Sequence, residues 1–153
     1  MSLLEDHLKW LNLHQEATLE PERPIVDPHH HFWPGEQHYL LEDLWLDTHS
    51  GHNIKKTVFI ECSQEFLKTG DKDFAPVGET IFVKKISDEA KKEKHKTQIE
   101  GIVGHVNLLI GPEKTHEVLT SHLKEGGNLF KGIRHAGGWD HHSELSNSHH
   151  SPP

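Results

Sequence analysis

Apolar residues fall along this chain in short runs separated by longer amphipathic stretches. Four runs read as β-strands: Ile25-Val26, Thr57 to Ile60, Gly101 to Val103 and Phe130 to Ile133. Runs of this kind, brief and rich in branched side chains, suit parallel strands covered on both faces. Between them lie three stretches with helical period. Residues 38–50 place Leu40, Leu41, Leu44 and Trp45 on one face, with Gly51 as a stop. Residues 78–95 do the same with Phe82, Val83, Ile86 and Ala90, then pass into Lys91 to Lys96, a charged end expected to be solvated. Residues 113–125 use Val118, Leu119 and Leu123, started by Pro112 and ended by Gly126-Gly127. The strand centres fall near 26, 59, 103 and 133, in steps of about 33, 44 and 30 residues. A βαβ unit takes about 30 residues or more, so the layout predicts an α/β fold with a parallel sheet. Ahead of it, residues 2–13 read as a short amphipathic helix. Ser2 and Glu5 have capping-box spacing there, and Leu4, Leu8 and Leu11 share a stripe. The polar stretch that follows holds Pro21 and Pro24 and reads as a linker. Residues 1–23 are thus set apart from a main unit, residues 24–153.

What ends each apolar run is the most informative feature. The first runs into Asp27, His29 and His31, the second into Glu61, the third into His105, and the fourth into Arg134 and His135. Every predicted strand changes from apolar to ionisable at its carboxyl end. That edge is where parallel α/β proteins bind ligands, and scattered surface polarity has no reason to choose it each time. Strand side chains alternate, so Asp27, His29 and His31 are expected on one side, with His30 turned the other way in a structural role. Imidazoles at i and i+2 can converge on one metal ion, although a histidine-rich strand end would look the same. His105, preceded by Gly104, can bind a metal, polarise a carbonyl or orient a substrate; the plain alternative is a histidine bonded to backbone. Arg134 can grip a carboxylate bidentately, either on a substrate or on Glu61. Glu61 itself is a candidate metal-bridging ligand, base or outer partner. His135 is expected on the face opposite Arg134. Phe32, Trp33 and Trp139 stand beside these residues as pocket walls or core packing, and Cys62 as a small packing residue.

Composition narrows the function. Lys+Arg 16 against Asp+Glu 24 leaves a net charge of −8, which argues against binding a phosphate backbone. The lone cysteine excludes an internal disulfide and a cysteine-rich metal site. No apolar stretch approaches the roughly 18 residues of a membrane span, and the acidic N-terminus is unlike a secretory signal, so the expected compartment is the cytosol. Mean hydropathy is −0.69. Histidine is the anomaly, at 17 of 153 residues. Four of these, His141, His142, His149 and His150, lie in a polar stretch expected to be a loop with weak metal affinity. No phosphate-cradling glycine motif and no nucleophile elbow is present.

The segment Pro24-Ile25-Val26-Asp27-Pro28-His29-His30-His31-Phe32-Trp33 resembles the first-strand motif of the amidohydrolase-related, metal-dependent hydrolases. Tyr39 to Leu44, Val58 to Cys62, Pro76 to Thr80, Gly101 to His105 and Lys131 to His135 are similar to the strands and helices that follow in that family. The nearest branch is lactonase-like. The resemblance implies a (β/α) barrel of TIM type, of which this chain would supply about four of eight strand–helix units, a truncated piece that need not be active. It implies that His29 and His31 hold the paired metal-ligand positions, with a divalent metal (zinc first) or, as in some lactonases of the branch, none. The expected activity is hydrolysis of a small acidic lactone or cyclic ester by carbonyl polarisation and water activation. His29, His31, His105 and Arg134 would be its catalytic set, and Glu61, Arg134, Phe32 and Trp33 would contact the substrate. The rivals are a nonoxidative decarboxylase on the same scaffold and a non-catalytic, metal-binding half-barrel. The only partners expected are a small-molecule substrate and, through an open sheet edge, a second copy of the chain.

Overall fold

The computed structural model describes residues 7, 9–14, 16–36, 38–136, 138, 140–142, 144 and 145. Strand β1 spans Pro24–His30, helix α1 Leu41–Thr48, β2 Asn53–Ile60, α2 Val77–Ala90, β3 Gln98–Gly104, α3 Pro112–Gly126 and β4 Phe130–Ile133. Short 3₁₀ turns at Lys72–Phe74, Leu108–Ile110 and Gly127–Leu129 join them. The strands form one parallel sheet in the order β1-β2-β3-β4, with strands and helices alternating along the chain.

Local chemistry accounts for the helix ends. The Asp43 carboxylate accepts the Leu40 N–H at 2.8 Å and closes the start of α1. Helix α3 starts on Pro112, whose missing N–H costs nothing in the first turn, and stops at Gly127, whose φ of +53° favours glycine. Helix α2 ends at Ala90, before the lysine-rich stretch, which lies outside it in turns.

The main core joins Leu44 of α1 and Val83 of α2 to Phe32, Phe59, Ile99, Ile102 and Leu129. A second cluster joins Val118 of α3 to Val77 and Val106, with Ile133 packed against it. All three helices therefore pack on one side of the sheet. On the other side a side chain at Gly101 would meet Val58 and Lys131, and Val26 is 56% exposed.

Three expectations need correction. First, β1 continues through Asp27 to His30, so those ionisable residues belong to the strand and do not follow it. Pro28 is tolerated because β1 is an edge strand of this sheet, with a register irregularity between Asp27 and His30. Second, Leu123 is 56% exposed, whereas His122 is fully buried. The inward stripe of α3 runs Val118 to His122, four residues on, as the helical period allows. Third, Leu11 of the predicted N-terminal stripe is 51% exposed although residues 9–11 are helical. Ser2, Leu4, Glu5 and Leu8 lie outside the described residues. No helix among the described residues is long and apolar enough to cross a membrane.

Candidate functional site

The end of β1 brings two imidazoles together. Asp27 accepts the His29 N–H at 3.0 Å, within the strand's irregular stretch. The Nε2 atoms of His29 and His31 lie 3.2 Å apart, with the rings nearly perpendicular at 83°. The Nδ1–H of His31 donates to the Ile60 carbonyl at 2.8 Å. A carbonyl only accepts, so in the neutral imidazole this bond puts the proton on Nδ1 and leaves Nε2 with its lone pair. That is the outer-shell arrangement that orients metal-bound histidines. A tetrahedral zinc with Zn–N of about 2.0–2.1 Å sets two nitrogens roughly 3.3 Å apart. The pair therefore fits two positions of a zinc or similar divalent centre. Among the described residues, no third ligand atom joins these two within the span one ion needs.

His30 points to the helix side. Its ring packs edge-on against Phe32 at 4.8 Å and Phe59 at 5.8 Å. Burial pushes its pKa down to about 4, so the ring is neutral, and neither ring nitrogen has a hydrogen-bond partner among the described residues.

Beyond β2, Arg134 is engaged by Glu61 twice. Its Nε donates to Glu61 Oε1 at 2.7 Å, and its Nη2 donates to the Glu61 carbonyl at 2.6 Å. Of the two partners the sequence allows, the structure shows the internal carboxylate. The Glu61 side chain is 11% exposed and that of Arg134 39%. The backbone N–H groups of Glu61 and Arg134 donate to Val103 and Gly104, so each residue extends the sheet ladder by one step. The Nδ1–H of His105 donates to the Arg134 carbonyl at 3.1 Å. His135 also comes in: its ring lies 5.4 Å from that of His105, edge to face, while its Nδ1 accepts the Leu108 N–H. Strand β4 ends at Ile133, so Arg134 and His135 lie beyond it, where the strict alternation behind the sequence expectation for the two no longer holds.

The predicted site residues thus form two groups at one sheet edge. His29 and His31 make the first, and Glu61, Arg134 and His105 the second. The adjoining backbone of Ile60 and Glu61 links them, since the first group bonds to the Ile60 carbonyl and the second to that of Glu61. The aromatic neighbours divide. Phe32 is 0% exposed and stacked on Phe59, so it is core and not a substrate wall. Trp33 pairs with Tyr39 through both main-chain hydrogen bonds and sets its ring 5.7 Å from that of His31. Trp139 lies outside the described residues. Burial, followed by the charge of Glu79, pushes the Cys62 thiol up to about 12, which keeps it protonated and unreactive.

Sequence reading missed two buried residues that support this edge. Glu79, in the first turn of α2, is 1% exposed, and its Oε1 accepts the backbone N–H groups of Cys62 and Gln64 at 3.0 and 2.7 Å. Burial raises its pKa. It holds the loop after Glu61, where Ser63 and Glu65 adopt positive φ. Gly78 beside it is required by space, because a Cβ there would lie 2.4 Å from the Glu65 carbonyl oxygen. His122 is the other. Its Nε2–H donates to the His105 carbonyl at 3.0 Å, and its Nδ1 accepts from the Thr80 hydroxyl at 2.8 Å. A Cβ on Gly104 would come within 3.0 Å of that ring. An acid in a first helical turn and a histidine four residues after a buried valine were the available signals, and both have commoner explanations.

Fold and site together define a parallel α/β protein with a histidine pair and a carboxylate–arginine–histidine chain along the carboxyl edge of its sheet. No protein-family model, curated protein or solved structure matches the chain.

Proposed function

We propose that this protein is a hydrolase of a small, acidic lactone or cyclic ester, of the amidohydrolase-related type, working in the cytosol, with β1–β4 as consecutive strands of a (β/α) barrel. The strand order supports the barrel. A doubly wound sheet reverses its order to place helices on both faces, whereas β1-β2-β3-β4 runs in sequence with its helices on one face. The observation that carries the activity is the 3.2 Å approach of the His29 and His31 Nε2 atoms, with His31 anchored through Nδ1. These two imidazoles polarise the substrate carbonyl or hold a divalent ion, zinc first. Such an ion, when bound, supplies Lewis acidity and a more acidic water. His105 positions the substrate. Arg134, two of whose donors are on Glu61, meets a substrate carboxylate with the part of its side chain that reaches solvent.

The test is lactone hydrolysis by the wild type, His29→Ala and His31→Ala, with zinc added and with zinc chelated. Loss of about 10²-fold or more in each variant is expected for groups acting on the reacting carbonyl. Unchanged rates would remove both residues from the chemistry. A binding role without catalysis has its own support in the two-ligand pair and in the engagement of Arg134 by Glu61. It predicts stoichiometric zinc uptake, lost in His29→Ala, with no turnover of any lactone. Release of carbon dioxide in place of a ring-opened acid would identify a decarboxylase.

A further inference from the structure

A different cluster of metal-ligating side chains lies beyond β4. Asp140, His141 and His142 each offer one ligand atom, and the three atoms lie within 4.8 Å of one another. The three residues also touch one another: Asp140 Oδ1 accepts the His142 N–H at 2.8 Å, and the two imidazoles lie 4.1 Å apart between ring centres. His141 Nδ1 stands 3.8 Å from Asp140 Oδ1, close to the separation of roughly 3.3 Å between neighbouring ligands on a tetrahedral ion. The His141 side chain is 75% exposed and so is open to an ion from solvent. Two imidazole nitrogens and one carboxylate oxygen suit borderline ions such as zinc, nickel and copper, whereas magnesium and calcium prefer all-oxygen shells.

We propose that Asp140, His141 and His142 form a surface site for one borderline divalent transition ion, separate from the His29/His31 pair. Three protein ligands leave at least one coordination position to water, so the site takes up and gives back its ion readily, in contrast to a closed structural centre. It does not depend on the hydrolase reading. His141 and His142 are absent from that chemistry, and the site would remain if His29 and His31 held nothing.

The experiment titrates the full, chelator-stripped chain with zinc by calorimetry and with copper(II) by electron paramagnetic resonance. The wild type is expected to bind one more ion than the His141→Ala/His142→Ala double variant, and that ion's copper spectrum should show nitrogen donors. Asp140→Asn, which keeps the loop's side-chain acceptor but removes the charge, should lose the same ion. A His29→Ala/His31→Ala variant should keep it. As a control for diffuse binding, His95→Ala/His116→Ala removes two exposed histidines elsewhere and should leave the stoichiometry unchanged. The proposal is overturned if the His141/His142 variant binds as many ions as the wild type. It is overturned equally if the His95/His116 variant loses an ion to the same extent.

Discussion

His30 shows how one buried ring sets the acid response of the protein. Its folded pKa of about 4 lies below the ordinary histidine value of 6.5, because burial penalises the charged form. Between those values the unfolded chain binds a proton that the native ring refuses. Stability is therefore full above about 6.5 and falls as the pH drops towards 4, by about 3 kcal/mol for this group. His122, lowered for the same reason, adds in the same direction. Glu79 acts oppositely: burial raises its pKa, so its contribution is present below the ordinary carboxylate value and is lost as the pH rises through the folded one. Urea unfolding at pH 7 and pH 4.5 should show a lower midpoint in acid, and His30→Leu should flatten that difference. The leucine variant should be no less stable at pH 7, since both nitrogens of His30 are buried without partners. An equal acid shift in wild type and variant would assign the effect to other groups. That His30 turns away from its neighbours His29 and His31 was legible from strand alternation; that it is buried while Val26, four residues earlier, is exposed was not, because the register is irregular between Asp27 and His30. Its edge-on packing against Phe32 and Phe59 was not legible either, because no period links residue 30 to residue 59.

At the level of elements, the Glu61–Arg134 clamp ties the end of β2 to the end of β4 across the intervening β3. Arg134→Ala leaves the mostly buried Glu61 carboxylate without its cation and should cost about 1–3 kcal/mol in a denaturant titration. Adding Glu61→Gln should recover part of that loss, because the stranded charge is gone. If the double variant is as unstable as the sum of the singles, the two side chains do not act as a pair. The helices matched expectation where the apolar stripe was continuous, as with Leu44 and Trp45 in α1 and Val83 and Ala90 in α2. They departed where a polar residue took an inward position. In α3 the buried place belongs to His122 because Thr80 and the His105 carbonyl satisfy its two nitrogens, and Leu123 is left in solvent.

Across the whole molecule, β2 and β3 are hydrogen-bonded on both sides, whereas β1 and β4 each have one strand neighbour among the described residues. Native-state hydrogen exchange should therefore find the slowest amides in Thr57–Ile60 and Ile99–Val103, with faster exchange in β1 and β4. Uniform protection across the four strands would mean that something covers the outer edges. Parallel pairing was visible in the spacing of the apolar runs, because each crossover needs a helix and its flanking turns, whereas the β1-β2-β3-β4 order was decided by the fold, since the same spacing serves a doubly wound sheet.

The alternation of short apolar runs with helical stripes was enough to specify a parallel α/β architecture and the edge at which ionisable groups gather. Both follow from local periods, which any stretch of chain carries within itself. The partners of those groups were settled by folding. Glu61 and Arg134 are 73 residues apart, and His31 and Ile60 are 29. Their meeting depends on register and on irregularities near His29 and at Lys131, which shift alternation by a residue. Such shifts arise from packing between neighbouring strands, and no single strand encodes them.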